Sequence, residues 1–322
     1  MNSENMIQSP FGVLYGISSS SIYPSGKIKD IILNEKNMIV THIGELIPFY
    51  SEETSRRKYK SSVSYHENGM IKSVSLDEQT EVITPIGEFP AELVTFYDSG
   101  ELKRIFILDG KISGFWSEED ERGLNIPFSF EFEFSEFSAM LIGICFYKGG
   151  DIKSLTLFPG ELINISTKEY GEFSVRIGFS LFESGMLKSL EPSVPTAIKT
   201  PIGEINAYDI NAIGVNADSN SVNFDEEGRL LSLITSSDKI AVQKPDGVMR
   251  FFVPIETTNM DEDDSAEIIP LKLEFDYENN SVTITDEKSY SFSISDCKFN
   301  IFKGTVSSEC SPSDCANCNL CK

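Results

Sequence analysis

The sequence predicts an all-β fold of tandem antiparallel β-hairpins. They form an extended twisted sheet or a solenoid-like array, ended by a closing hairpin and a short cysteine-rich C-terminal tail. Three observations predict it. One turn motif recurs six times, a second turn marker follows five of those copies, and aromatic strand formers abound, with 23 Phe and 11 Tyr against one Trp.

The first motif is an aromatic, two or three polar residues, Gly, one residue, then Ile or Leu. Its copies are Tyr23-Pro-Ser-Gly26-Lys-Ile28, Tyr65-His-Glu-Asn-Gly69-Met-Ile71, Tyr97-Asp-Ser-Gly100-Glu-Leu102, Tyr147-Lys-Gly-Gly150-Asp-Ile152, Phe182-Glu-Ser-Gly185-Met-Leu187 and Phe224-Asp-Glu-Glu-Gly228-Arg-Leu230. In five of the six the next residue is lysine: Lys29, Lys72, Lys103, Lys153 and Lys188. Glycine supplies positive φ where the chain reverses, so each copy reads as a hairpin turn. The aromatic before the turn and the branched residue after it then meet across the strand pair.

The second marker reads His42-Ile-Gly44-Glu45, Thr84-Pro-Ile-Gly87-Glu88, Glu169-Tyr-Gly171-Glu172, Thr200-Pro-Ile-Gly203-Glu204 and Lys244-Pro-Asp-Gly247. Pro at the first corner with Gly two residues on fits a type I turn closed by a left-handed residue. Gly26 to Gly44, Gly69 to Gly87 and Gly185 to Gly203 are each 18 residues apart; Gly150 to Gly171 is 21 and Gly228 to Gly247 is 19. One unit therefore holds two turns joined by strands of ordinary length.

The third copy departs from this spacing. It is followed by a shorter hairpin, Leu108 to Trp116, and by the acidic run Glu118-Glu119-Asp120-Glu121, read as a solvated loop. Phe128 to Phe134 alternates Phe with Ser or Glu, the pattern of a half-buried strand. After the acidic loop Asp261 to Asp264, Leu271 to Phe275 and Val282 to Ile284 alternate again around the turn Asn279-Asn280, the closing hairpin. The chain divides into a hairpin region, 1–256, a closing hairpin region, 257–299, and a cysteine-rich tail, 300–322. No amphipathic helix of ordinary length is predicted. One tension stands: after each first-motif Gly, strict alternation puts the Lys on the same face as the second apolar residue. Either a bulge shifts the register or both faces are partly covered.

The Y-x-x-x-G-x-I-K unit resembles the MORN-variant repeat, and Tyr65-His66-Glu67-Asn68-Gly69-Met70-Ile71-Lys72 carries the resemblance best. Asp109-Gly110-Lys111-Ile112-Ser113-Gly114-Phe115-Trp116 is similar to the family's G-K-x-x-G-x-W element. The likeness covers residues 20 to 250 in pieces. It implies repeated hairpins in an elongated antiparallel sheet and an interaction or scaffold role, antitoxin-like in some bacterial members. It carries no catalytic residues.

Of six cysteines, Cys145 sits in an apolar run and reads as a small core residue. The other five crowd the C-terminal end. Cys310, Cys315, Cys318 and Cys321 read C-x4-C-x2-C-x2-C, a spacing that lets thiolates converge on zinc or a [4Fe–4S] cluster, with Cys297 as a substitute ligand. Disulfide switching and an unliganded tail are the other readings of this segment.

With 50 acidic against 27 basic residues the net charge is -23, which repels nucleic acid and anionic membranes and attracts a basic protein partner. Met1 to Pro10 carries no apolar signal region, and no run approaches the ~18 apolar residues of a membrane helix, so a cytoplasmic location is expected. His42 and His66 read as turn residues, and no P-loop, dinucleotide or zinc-protease motif occurs. The expected function is a non-catalytic interaction module for a basic partner. The alternative is a metalloprotein accessory whose tail serves electron transfer or metal delivery. An enzyme built of scattered carboxylates would leave no local signature.

Overall fold

The computed structural model describes residues 6–57, 60–213, 220–258 and 266–304. It is all-β and antiparallel, with one short helix, Glu118–Arg122, among the described residues. The main ladder follows chain order. It begins with Ile17–Ile22, Ile28–Leu33, Val63–Tyr65, Ile71–Thr84, Gly87–Phe96 and Leu102–Phe106. Ser135–Phe146, Ile152–Leu157, Gly171–Leu181 and Leu187–Pro192 continue it. Val222–Phe224, Leu230–Thr235, Leu271–Asp276, Ser281–Thr285 and Ser289–Ser293 complete it. No strand pairing joins Ile17–Ile22 to Ser289–Ser293 among the described residues.

All six first-motif glycines sit at positive φ, from 82° to 104°, each in a turn between paired strands. The hydrogen bonding repeats from turn to turn. The Gly N–H donates to the carbonyl three residues back, as from Gly100 to Tyr97, whose own N–H meets the carbonyl of Glu101. Gly247, placed by sequence with the second markers, belongs here instead: its N–H donates to Lys244, and Lys244 donates to Val248. Proline at position 245 hid the likeness.

The register tension resolves as a bulge, and it is the same bulge in each of the six first-motif copies, while the Gly247 hairpin pairs without a shift in register. Tyr65 faces Ile71 while Ser64 faces Ser73, leaving Lys72 as the extra residue. Lys29, Lys103, Lys153, Lys188 and Leu231 are extra in the same way. The bulge puts the flanking residues on the core face and sends the lysine outward. Lys103 and Lys188 then lie over the rings of their own turns, Tyr97 and Phe182, at 5.6 and 5.5 Å.

The structure also corrects the alignment of the copies. Counted back three residues from glycine, the aligned positions are Tyr23, His66, Tyr97, Tyr147, Phe182 and Asp225; Tyr65 and Phe224 lie one residue earlier and are buried in the core. This position stitches one unit to the next. Tyr23 donates its hydroxyl to the Tyr65 carbonyl, Tyr97 to Phe146 and Tyr147 to Leu181, each at 2.8 Å. His66 makes the same link, with Nε2 3.0 Å from the Phe96 carbonyl.

The second markers cap a second set of hairpins. In Thr84-Pro85-Ile86-Gly87 the Thr84 hydroxyl accepts the Ile86 N–H and donates to the Gly87 carbonyl, a local staple that recurs at Thr41 and Thr200. Ser9-Pro10-Phe11-Gly12 is a further copy, with Ser9 in the threonine's place and Gly12 at φ 119°. The inward residues of these hairpins, among them Ile39, Val82, Ile165 and Ile198, join main-ladder residues such as Val74, Ile144 and Leu190 in one core cluster. Each contributes about 1.5–3 kcal/mol by leaving water. Long strands pass from the ladder into these hairpins through breaks in register, between Ser75 and Thr80 and between Arg176 and Phe179.

Pro127–Phe132 pairs with Ser135–Met140, and the predicted alternation ends at Phe132 because Glu133 and Phe134 form the turn. Phe130, Phe132 and Phe137 stack at 5.6–6.2 Å, and Phe132 and Phe137 meet Phe179 edge-on. The closing hairpin forms as the alternation predicts, with Asn280 at φ 47°. Beyond it, Lys298–Phe302 returns to pair with Lys239–Gln243, across the boundary drawn at residue 299.

Candidate functional site

Two rows of turns, first-motif and second-marker, leave grooves between them. One groove, of about 740 Å³, lies between the turns at Met70, Gly100 and Gly150 and the hairpins at Phe11, Ile43 and Pro85. Its charged lining is mixed: Glu101 and Lys148, with His42 alongside. Lys148 pairs with Asp98 at 3.3 Å, and that hydrogen bond holds the Asp98 carboxyl below its ordinary range. A second groove, of about 440 Å³, lies further along between the turns at Gly185 and Gly228 and the hairpin tips at Phe134 and Thr167. Both volumes suit side chains of a bound segment.

A third feature is a buried ion cluster. Arg56 donates from Nη1 and Nη2 to Glu92 at 2.9 and 2.7 Å, and from Nε and Nη2 to Glu121 at 2.7 and 2.8 Å. Glu121 also accepts the Trp116 indole N–H at 2.6 Å and the Gly110 N–H at 2.9 Å. Burial opposes ionisation of Glu121, yet the bonds from Arg56 and Trp116 hold its carboxyl below the ordinary value. Beside it, Lys60 meets Asp109 at 2.6 Å. There burial wins on both sides, pushing the Lys60 amine down and the Asp109 carboxyl up. Arg57 stacks on Phe49 at 4.6 Å and donates to the Asp77 carbonyl.

The acidic run expected as a solvated loop is therefore a helix, capped by Ser117 through reciprocal bonds with Asp120, and its Glu121 is buried against Arg56. The correction has a local cause: Ser-x-x-Asp is a capping box, and an arginine 65 residues away in the chain supplies the counter-charge. The cluster also accounts for the departure of the third unit, since Arg56, Glu92 and Glu121 fasten the Asp109–Gly110 loop in place of a second-marker hairpin. Four of the five Arg56 N–H groups point at carboxylates, so its role is a clasp.

A second buried carboxylate, Glu191, accepts the Ser221 N–H and hydroxyl, both at 2.7 Å, and lies 3.7 Å from Arg176. Burial pushes its carboxyl above the ordinary 4.5. The native state thus binds this proton more tightly than the unfolded chain. The contribution is present below the unfolded value and lost as pH rises through the native one. Wild type is expected to lose stability relative to Glu191→Gln between about pH 4 and about pH 7, read from urea unfolding at both pH values. A difference that does not change with pH would refute the assignment.

The predicted metal ligands Cys310, Cys315, Cys318 and Cys321 lie outside the described residues. Cys297 is a free, partly buried thiol whose N–H donates to Ser293. Cys145 is free and buried. Lys303 and Gly304, from which the tail continues, are held by buried Asp238 through the Lys303 amine and the Gly304 N–H, each at 3.3 Å. Among the described residues no three His, Cys, Asp or Glu side chains converge as a metal site, and no helix is long and apolar enough to cross a membrane.

Sequence reasoning missed the grooves and the clasp. Ser9-Pro-Phe-Gly12 was the available signal for one wall of the first groove, through its likeness to Thr84-Pro-Ile-Gly87. The chain matches no family model, no curated protein and no solved structure.

Proposed function

We propose that the chain is a non-catalytic interaction module, a tandem-hairpin scaffold of the MORN-variant kind whose acidic surface takes up a basic protein partner. The observation that carries this reading is charge: 50 acidic against 27 basic residues on one folded frame. The buried ionised groups of that frame are engaged with one another at Arg56, Glu92 and Glu121, which leaves the exposed carboxylates to set the outward field. The repeated bulge and the hydroxyl-to-carbonyl stitching support the tandem-unit reading. A labelled oligolysine peptide is expected to bind saturably at about 50 mM salt and to weaken at least about tenfold at about 500 mM. Absence of binding at the lower salt would sink the proposal.

The spacing of Cys310, Cys315, Cys318 and Cys321 favours a second reading, in which the tail carries zinc or a [4Fe–4S] cluster for metal delivery or electron transfer. It needs a reducing compartment such as the cytoplasm, where thiolates persist. Anaerobically purified protein is expected to hold about one zinc or about four iron per chain, the iron form coloured. Colourless protein with neither metal removes this reading.

A further inference from the structure

The geometry points to the 440 Å³ groove as the seat of the basic partner: it takes an extended segment in which Arg or Lys alternates with large apolar residues. This rests on the interaction-module reading and gives that reading a location.

The floor of the groove is apolar, made by Phe134, Met186, Leu187 and Phe224. Leu187 and Phe224 are buried, while Met186 is 44% exposed and offers a soft, adaptable contact. Around this floor stand Glu133, Glu169 and Glu227, with Lys168 the one cation of the lining. Lys168 lies 3.8 Å from Glu133, but their side chains are 98% and 83% exposed, so that pair holds neither group in place. Just outside, Arg229 is engaged by Asp225 at 2.7 Å and reaches Glu227 at 3.4 Å. Counting these, four carboxylates (Glu133, Glu169, Glu227, Asp225) stand against two cations (Lys168, Arg229), an excess of two negative charges around one apolar trough.

The neighbouring phenols report the same field. Burial first, then Tyr170, Glu169 and Asp225, pushes the Tyr277 hydroxyl up to about 12. Tyr170 is raised in the same direction, by burial and then by Glu169 and Asp225.

A long cationic side chain fits this pairing of floor and rim. Its methylenes lie on Met186 and Phe134 while its head reaches the carboxylates. A small free cation would leave the apolar floor uncovered, and an anionic or purely apolar segment would leave the rim unmatched. The larger groove does not offer the same chemistry, because Lys148 and His42 stand on its rim and Lys148 already satisfies Asp98. This contrast selects the smaller groove.

The test uses the full-length protein and a labelled peptide of alternating arginine and leucine, read by fluorescence anisotropy beside oligolysine. Met186 occupies the turn position that holds Lys27 and Arg229 in other copies, so Met186→Lys is compatible with the turn. Met186→Lys and Glu169→Lys are each expected to weaken the arginine–leucine peptide by about tenfold or more. Glu45→Lys, the same charge change as Glu169→Lys and a larger one than Met186→Lys, lies on an exposed hairpin outside both grooves and is expected to weaken it less than about threefold. Oligolysine is expected to bind more weakly than the arginine–leucine peptide and to be insensitive to Met186→Lys beyond the Glu45→Lys effect. Equal losses in all three variants, or equal affinity for the two peptides, overturn the groove while leaving diffuse acidic binding in place. No binding of either peptide to the wild type overturns both.

Discussion

Arg56→Ala is expected to destabilise the protein by about 3–5 kcal/mol, the range for removing one partner from a buried ionic network. The size follows from what remains. Glu92 and Glu121 are each buried and held at 2.7 Å from the guanidinium, and without it two carboxylates face the space it leaves, with Lys60 beside them already paired to Asp109. Glu121 keeps donors from Trp116 and Gly110, and Glu92 keeps the Asp109 N–H at 2.7 Å, so neither is stripped of hydrogen bonds. What is lost is the charge balance. Neutralising the carboxylates should therefore recover part of the loss: the triple variant Arg56→Ala, Glu92→Gln, Glu121→Gln is expected to be more stable than Arg56→Ala alone. Urea unfolding of the two variants and wild type measures this. If the triple variant is less stable than the single one, the clasp works through packing and hydrogen bonds, and the charge argument fails.

The same clasp shows where the sequence stops being legible. The chain reversals were readable because their cause is local: a left-handed residue needs glycine, and Gly26, Gly69, Gly100, Gly150, Gly185 and Gly228 announce it within a few residues. The bulge was half readable. The misfit of Lys72 or Lys103 with strict alternation exposed it, but only pairing shows which residue is extra. Arg56, Glu92 and Glu121 were not readable, since the partners are 36 and 65 residues from the arginine and nothing in the sequence picks them out of 50 acidic side chains. The grooves were unreadable for a related reason. Their floors come from hairpin tips and turns of different units, such as Phe134 with Met186, and their facing is a product of tertiary packing.

Gly143→Ala is the second substitution with a large expected cost, about 3 kcal/mol, at the upper end for forcing extra volume into a packed interior. Gly143 lies in Ser135–Phe146, where its strand is flanked on both sides, by Phe106 and by Thr156. Its backbone does not need the left-handed region, so its reason for being glycine is space. A Cβ there would stand 2.3 Å from the Ile105 carbonyl oxygen and 3.4 Å from Phe106 Cα, both backbone atoms that cannot swing aside. Relief requires parting two ladder strands at a point where Ile105 and Ile144 are fully buried. Gly228→Ala is the informative comparison. It sits at φ 82° with nothing within 4 Å of an added Cβ, so its cost is conformational alone, about 1–2 kcal/mol. Chemical denaturation should rank Gly143→Ala as the more destabilising of the two. The reverse order would mean that the ladder gives way at Gly143 more easily than a single turn accepts a side chain, and the close packing inferred for the sheet centre would be wrong.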